Sequence, residues 1–389
     1  MNAEEQYLSG IPRYSRVAVC IAVIALALSA VGALQNPTQF YHSWLVAVVF
    51  GLTIALGALF LNMVFHLTGA QWSLPVRRLL EHLAAILPLL FVLFLPLLGG
   101  LHELYEWSHA ERMAHDPVVQ LKSPFLNAPF FILRALMYLA IWTLLAWRLR
   151  HLSLKEDATP TPELASRMRK LSAAGTILFA LTVTFAAFDW LMSLDARWYS
   201  TIFGVYVFSG CVVAGLAAVI LLLHFLHSQG HLRTTAGLEV YHDLGRLLLT
   251  FMIFWAYMAA SQYFLIWYGN IPEETIWYQH RWHGGWRAVS LLLVFGHFAI
   301  PFPILLTRWA KRNVRVLSLC AAWLLLMHWV DLNWLVMPTL HAEGFALSWQ
   351  DLAALLGILA SSLGYLGWLL QRHALAPRAA AAPPETPGA

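Results

Sequence analysis

Ten stretches that are almost wholly apolar run through this chain, separated by segments where Lys, Arg, Pro, Gly and aromatic residues concentrate. They lie near residues 16–34, 43–66, 78–101, 124–148, 168–194, 199–225, 242–268, 284–307, 314–336 and 348–371. A helix needs about 20 mainly apolar residues to cross the hydrocarbon layer of a bilayer. It also satisfies its own backbone polar groups there, which an isolated strand cannot do. The pattern therefore predicts an all-α, polytopic integral membrane protein with ten transmembrane helices. No convincing A-x-A-like cleavage site follows the first stretch, so it is expected to remain as an anchor.

Composition agrees with that reading. Of 389 residues, 60% are hydrophobic and only 11% charged, and the mean hydropathy is +0.65. Such a chain is not a set of soluble domains. Most of the 24 Lys and Arg residues fall in the segments on the side of the N-terminus, among them Arg77, Arg78, Arg148, Arg167, Lys170, Arg308, Arg312 and Arg315. Few lie in the opposite loops (Arg112, Lys122, Arg197, Arg281) or inside stretches (Arg134, Arg246, Arg287). By the positive-inside rule both termini are expected in the cytoplasm. The sequence pI of 9.0 then needs no nucleic-acid partner. Cys20, Cys211 and Cys320 lie inside stretches in no C-x-x-C pairing, so neither an iron–sulfur cluster nor a disulfide framework is expected. Residues 1–15 read as a cytoplasmic N-terminal segment, 151–167 as the only long cytoplasmic loop, and 372–389, with Ala379–Ala382 and Pro383-Pro384, as a disordered tail.

An internal repeat is legible. His66-Leu67-Thr68-Gly69 ends the second stretch and His227-Ser228-Gln229-Gly230 ends the sixth, 161 positions later. At the same offset Glu81-His82 opens the third stretch and His242-Asp243 the seventh. Asp189-Trp190-Leu191 is echoed by Asp331 with Trp334-Leu335, at an offset reduced to 142. Removing the 151–167 loop would account for the shortfall. The expected domain organisation is two four-helix bundles in the same orientation, 43–195 and 199–336, flanked by helices at 16–34 and 348–371. Sites in membrane proteins tend to form within such repeats.

Ionisable residues inside a bilayer are costly and mark candidate function. An inner layer holds Asn62, His66, Glu81, His82, His242, Asp243 and Arg246; a middle and outer layer holds Arg134, Asp189, Gln262, Arg287, His297, His328 and Asp331. An acid beside a His offers two groups that exchange protons near neutral pH, which suggests an inner half-path through Glu81, His82, His242 and Asp243. An outer one would run through Asp189 and Asp331, the two meeting near Arg134 and His297. The alternative is structural: snorkelling groups at the headgroups, and ion pairs Arg134–Asp189 and Arg287–Asp331 tying each bundle together. His283 and His297 are 14 apart, a spacing used for stacked haems, but no second stretch offers such a pair, so no haem or metal is expected here. The aromatic residues around Trp198-Tyr199 and 267–278 suit either an interfacial belt or a pocket for a quinone headgroup.

Several runs together resemble a known family. They are Ser43–Gly69, Pro88–Phe91 through Leu101-His102-Glu103-Leu104-Tyr105-Glu106-Trp107, Phe188-Asp189-Trp190-Leu191-Met192-Ser193-Leu194, Trp198–Tyr206, Trp255-Ala256-Tyr257-Met258 and His280–Trp286. They are similar to the smaller polysulfide-reductase-type (NrfD-like) membrane subunit of alternative complex III, a bacterial quinol:electron-acceptor oxidoreductase. The resemblance implies a subunit of the bacterial inner membrane that supports quinol oxidation toward cytochrome c or another periplasmic acceptor. It implies three partners: a larger homologous membrane subunit, a multihaem cytochrome c subunit and an iron–sulfur subunit. It also implies no redox metal in this chain, menaquinol or ubiquinol as the quinol, and proton movement along its Asp, Glu, His and Arg residues. His283, Arg287 and Asp189 are the residues expected at a quinol pocket. The alternative from another class is a stand-alone proton-coupled secondary transporter, for which Pro301, Pro303, Gly51 and Gly57 are the hints of broken helices.

Overall fold

The computed structural model describes residues 12–109, 111, 116–232 and 236–377. The expected tail beyond residue 377, most of the N-terminal segment, and Arg112 and Arg233 lie outside them. Among the described residues the chain is helical throughout, with no strand. Ten helices among these residues are long and apolar enough to cross a membrane: α1 (Arg13–Gln35), α2 (Pro37–Thr68), α3 (Leu74–Gly99), α4 (Ala128–Ala158), α5 (Pro162–Leu194), α6 (Phe203–Ser228), α7 (Leu238–Gly269), α8 (Trp286–Leu306), α9 (Val314–Thr339) and α10 (Trp349–Arg372). The chain is a multi-pass helical membrane protein. Their alternation gives the molecule a basic end, carrying most of the Lys and Arg, and an aromatic end.

The helix limits are written in capping chemistry. Asn36, Asn127, Thr161 and Asn313 each accept a backbone N–H of the following helix through their side chain. Ser348 and Asp351 form a reciprocal capping box at α10. Pro37 and Pro162 stand at the first helical turn, where no N–H is needed. Gly69 ends α2 in the left-handed conformation at φ 63°.

The 151–167 loop does not exist as such. Residues up to Ala158 continue α4 and Pro162 already begins α5, leaving three residues between them. Polar residues normally end a buried helix, but here they project beyond the apolar layer, where Glu156 pairs with Arg77 at 3.0 Å and Asp157 pairs with Arg78. The repeat's shortfall therefore sits in helix length: α4 and α5 have 31 and 33 residues against 21 and 26 for α8 and α9.

Helices α2–α5 pack together, and so do α6–α9; α1 lies along α10, which leans on α2. The two groups meet where α2 crosses α6. A Cβ at Gly57 would sit 1.9 Å from the Cys211 carbonyl oxygen, and one at Gly215 would sit 2.7 Å from the Ala58 nitrogen. In a bilayer, lipid chains are as apolar as side chains, so association depends on close van der Waals approach and small residues make it possible. Helices buried on all sides have no amphipathic face, and α2, closed in all along its length, reads as a near-continuous apolar run. Apolar residues exposed on α1, α4, α8 and α9 (Val23, Ile24, Leu144, Phe295, Leu319) form the outer surface a bilayer would cover.

Two helices are interrupted. In α3, helix ends at Ala84 and restarts at Leu87, because Pro88 has no N–H for the Ala84 carbonyl. In α8, residues Leu293–Ala299 form a π-helical turn, with Ile300 N–H reaching Phe295 O at 2.9 Å. Pro301 stands four residues after His297, where its ring would crowd that carbonyl in a regular α-helix. The widened turn carries His297.

Candidate functional site

Four groups of polar side chains are buried in the apolar body, and the sequence-level candidates divide among them. The first is centred on Asp189 at the aromatic end of α5. Its carboxylate receives Arg134 Nε at 2.8 Å, Arg134 Nη2 at 2.7 Å and Tyr138 Oη at 2.9 Å. Arg134 also donates to the Phe125 carbonyl at 2.9 Å and lies over the Phe125 and Phe130 rings at 3.8 and 4.2 Å. Asp189 is 0% exposed and Arg134 5%. This is a forked, charge-assisted pair with its remaining donors satisfied, and it makes the expected tie between α4 and α5.

The second group occupies the matching place in α6–α9 but is built differently. Asp331, 2% exposed, accepts from Tyr206 Oη on one oxygen and from Trp255 Nε1 at 3.3 Å on the other. No cation among the described residues pairs with it. The expected Arg287–Asp331 ion pair does not form: Arg287 is exposed and its guanidinium lies 5.7 Å from the Trp282 ring. The reason is register. Arg134 is deep in α4, whereas Arg287 is the second residue of the shorter α8 and never reaches the carboxylate's depth. In its place His297, 0% exposed, stacks on Trp255 at 3.7 Å between ring centroids. Neither ring nitrogen of His297 has a hydrogen-bond partner. His328 donates through Nε2 to Thr53 Oγ1 at 3.0 Å, because Thr53 already gives its own proton to the Phe50 carbonyl. That leaves His328 Nδ1 an acceptor without a donor.

The third group lies at the basic end of α3. Glu81, 2% exposed, is held by Arg78 at 2.5 Å, Arg77 at 3.6 Å and Ser153 Oγ at 2.7 Å. His82 faces the Arg78 carbonyl at 2.6 Å through Nδ1. His66, in electrostatic reach of Glu81, has an unpartnered Nε2. The repeat partners His242, Asp243 and Arg246 are not a buried equivalent. Asp243 meets Arg246 at 3.4 Å and His242 at 3.9 Å, but the Arg246 side chain is 66% exposed. Among the described residues no hydrogen bond or ion pair of Glu81, His82, His242 or Asp243 reaches Asp189 or Asp331, so the half-paths expected from sequence are separate clusters in this structure.

The fourth group was missed in the sequence. At the aromatic end Asp351 of α10 accepts Ser43 Oγ at 2.5 Å and Gln39 Nε2 at 3.2 Å, and His341 meets Gln39 Oε1 at 2.8 Å. His42 faces the Thr38 carbonyl at 2.8 Å, and Thr38 donates to Glu103. A signal was present: Thr38/His42 and Gln39/Ser43 are i, i+4 pairs, but all of them except Ser43 precede the apolar stretch predicted over 43–66. Arg281 was read as a loop residue and is 3% exposed. It donates to the Trp334, Leu335 and Trp277 carbonyls at 2.9–3.0 Å with its guanidinium 3.5 Å over Trp277. Burial holds it below the usual arginine range.

The expected quinol residues have separate surroundings: Asp189 is sealed by Arg134 and Tyr138, while His283 and Arg287 are exposed. The two aromatic segments do meet. Trp198 and Trp277 stack at 4.3 Å and are buried, while Trp267 and Tyr268 remain exposed. No protein-family model matches the chain, and no curated protein is significantly similar to it.

Proposed function

We propose that this chain is a membrane subunit of a bacterial respiratory quinol:acceptor oxidoreductase in which the α6–α9 carboxylate takes up and releases protons. The observation that carries the proton role is the contrast between two matched carboxylates. Asp189 is locked to an arginine, and protonating it would leave that cation buried without its partner. Asp331 is held by a phenol and an indole N–H, with a histidine stacked on the same indole. Neutral donors leave no buried cation behind when the carboxyl gains a proton, and a tyrosine hydroxyl can turn to accept instead of donate. His297 and His328 add buried imidazole nitrogens with unused hydrogen-bonding capacity, and His297 stands on a π-helical turn of the kind that often accompanies functional sites. The oxidoreductase assignment rests on the sequence resemblance, which also supplies the partners: a larger sister membrane subunit, a multihaem cytochrome c and an iron–sulfur subunit. The quinol in this reading belongs to the whole complex.

The test has two parts. Purification from native membranes under mild detergent should recover the chain with haem- and cluster-containing partners; recovery alone as a homo-oligomer overturns the assignment. In vesicles containing the assembled complex, Asp331→Asn should abolish proton movement coupled to quinol turnover while assembly persists; unchanged coupling overturns the proton role.

A second reading, a stand-alone proton-coupled carrier, is favoured by the interrupted helices α3 and α8, since broken spans often frame transporter sites. It requires proton-coupled solute uptake by the purified chain in vesicles, with no partner present.

A further inference from the structure

The connection between α8 and α9 at the basic end forms a shallow cavity of ≈ 820 Å³, wide open to its surroundings, lined by Leu238, Arg308, Trp309, Arg312, Asn313 and Arg315 among others. Arg312 is engaged by Glu239 of α7. Arg308 and Arg315 are exposed and form no ion pair among the described residues, so the cavity carries uncompensated positive charge. Its framework is fixed. Thr307 caps the short helix Arg308–Arg312 and Asn313 caps α9 through their side chains, and the buried Lys311 donates to the Leu305 and Leu306 carbonyls at 2.9 and 3.1 Å.

The cavity also opens onto an apolar face. Arg315, Leu319, Trp323 and Leu326 follow one another along a single stripe of α9. Leu319 and Leu326 are 71% and 47% exposed, and Leu306 of α8 and Trp309 are 57% and 66% exposed. A guanidinium cluster that runs directly into an exposed apolar stripe, at the end of a membrane-crossing helix pair, matches one kind of molecule from end to end. We propose that this cavity binds an anionic phospholipid, its phosphate held by Arg308, Arg312 and Arg315 and its acyl chains lying along Leu319 and Leu326. Guanidinium groups suit phosphate because they donate two parallel hydrogen bonds to its oxygens. Basic pockets between helices on the positively charged side of membrane proteins take such headgroups. A zwitterionic lipid brings its own ammonium into the arginine field and is disfavoured.

The inference is tested on the full chain in detergent micelles by native mass spectrometry during titration with phosphatidylglycerol or cardiolipin, with phosphatidylcholine as the comparison. Saturable retention of one or two anionic lipids is expected. Each arginine contributes roughly fivefold in affinity, so R308Q/R312Q/R315Q should weaken it by about 100-fold. The triple R148Q/R167Q/K170Q, which removes as much charge from other exposed positions of the same end, should retain it. The single variants R308Q and R315Q, which break no ion pair, keep the test valid if the triple fails to fold, and each should lose about fivefold. Equal retention of phosphatidylcholine, equal loss in the control triple, or displacement of the lipid by millimolar inorganic phosphate would each overturn the proposal. None of these outcomes bears on Asp331 or on the identity of the complex.

Discussion

Replacing Asp189 by Asn should cost far more stability than replacing Asp331 by Asn, although both are carboxylates buried at matching places. Asp189 accepts three hydrogen bonds, two of them from the guanidinium of Arg134. The Asn variant leaves that cation inside the protein with one backbone carbonyl and two aromatic faces. The ring faces recover about 0.5–2 kcal/mol, against about 3–5 kcal/mol for a buried pair broken from one side. The net loss is therefore about 1–4.5 kcal/mol. At Asp331 no cation is stranded. Asn keeps one acceptor, and Tyr206 can reverse its hydroxyl toward the new amide, so the loss is about 1 kcal/mol. The double variant R134M/D189N removes charge and partner together and should regain part of the loss of D189N, giving a coupling energy of about 1–3 kcal/mol in the cycle. The assay is reversible unfolding in mixed micelles, followed by tryptophan fluorescence, for the wild type, D189N, D331N, R134M and R134M/D189N. Equal losses for D189N and D331N, or strict additivity in the cycle, would refute the argument that one carboxylate is a structural anion and the other is not.

At the crossing of α2 and α6, Gly57→Ala would place a methyl group 1.9 Å from the Cys211 carbonyl oxygen. The helices must separate, at about 1–3 kcal/mol, whereas Gly237→Ala, whose Cβ meets nothing within 4 Å, should stay within about 0.5 kcal/mol of wild type; paired thermal unfolding curves decide it. Arg281→Lys should keep a charge but lose the planar fork that holds the Trp277, Trp334 and Leu335 carbonyls. Amide exchange should then quicken across 272–286 and 334–340 while the Asp189 region is unaffected; unchanged protection in both segments would show that Arg281 does not tie the helix Pro272–Trp282 to α9.

What could be read from the sequence depended on the range of the signal. The ten spans and the depth of Asp189 and Asp331 follow from local pattern, and the Arg134–Asp189 pair follows from depth alone, because both lie near one level of neighbouring spans. The partners of Asp331 could not be anticipated. Tyr206 is 125 positions away and Trp255 is 76, and an aromatic residue inside an apolar span carries no mark of its hydrogen bond. The interruption of α3 and the missing 151–167 loop failed for a different reason. Hydropathy reports where lipid can be, and says little about whether a polar segment continues a helix beyond it.

The repeat itself explains why one half of the molecule is suited to proton exchange and the other to rigidity. Two copies of a four-helix unit begin with the same need, a carboxylate at the end of the fourth helix that must be hydrogen-bonded in a medium without water. In α2–α5 the long α4 brings Arg134 to it, and the result is a closed ion pair with its donors spent. In α6–α9 the shorter α8 starts too late for its arginine to descend, Pro301 forces a π-turn, and that turn lays His297 on the indole that serves Asp331. Helix length and one proline thus convert a structural anion into a carboxyl surrounded by neutral donors and imidazole. Restoring a cation at that depth should therefore reverse the difference. A variant that places Arg at Leu293, which is buried in α8, would carry no rescue if Asp331 were merely a packing residue, but should pair with Asp331 and convert D331N from a tolerated change into a destabilising one of about 3 kcal/mol.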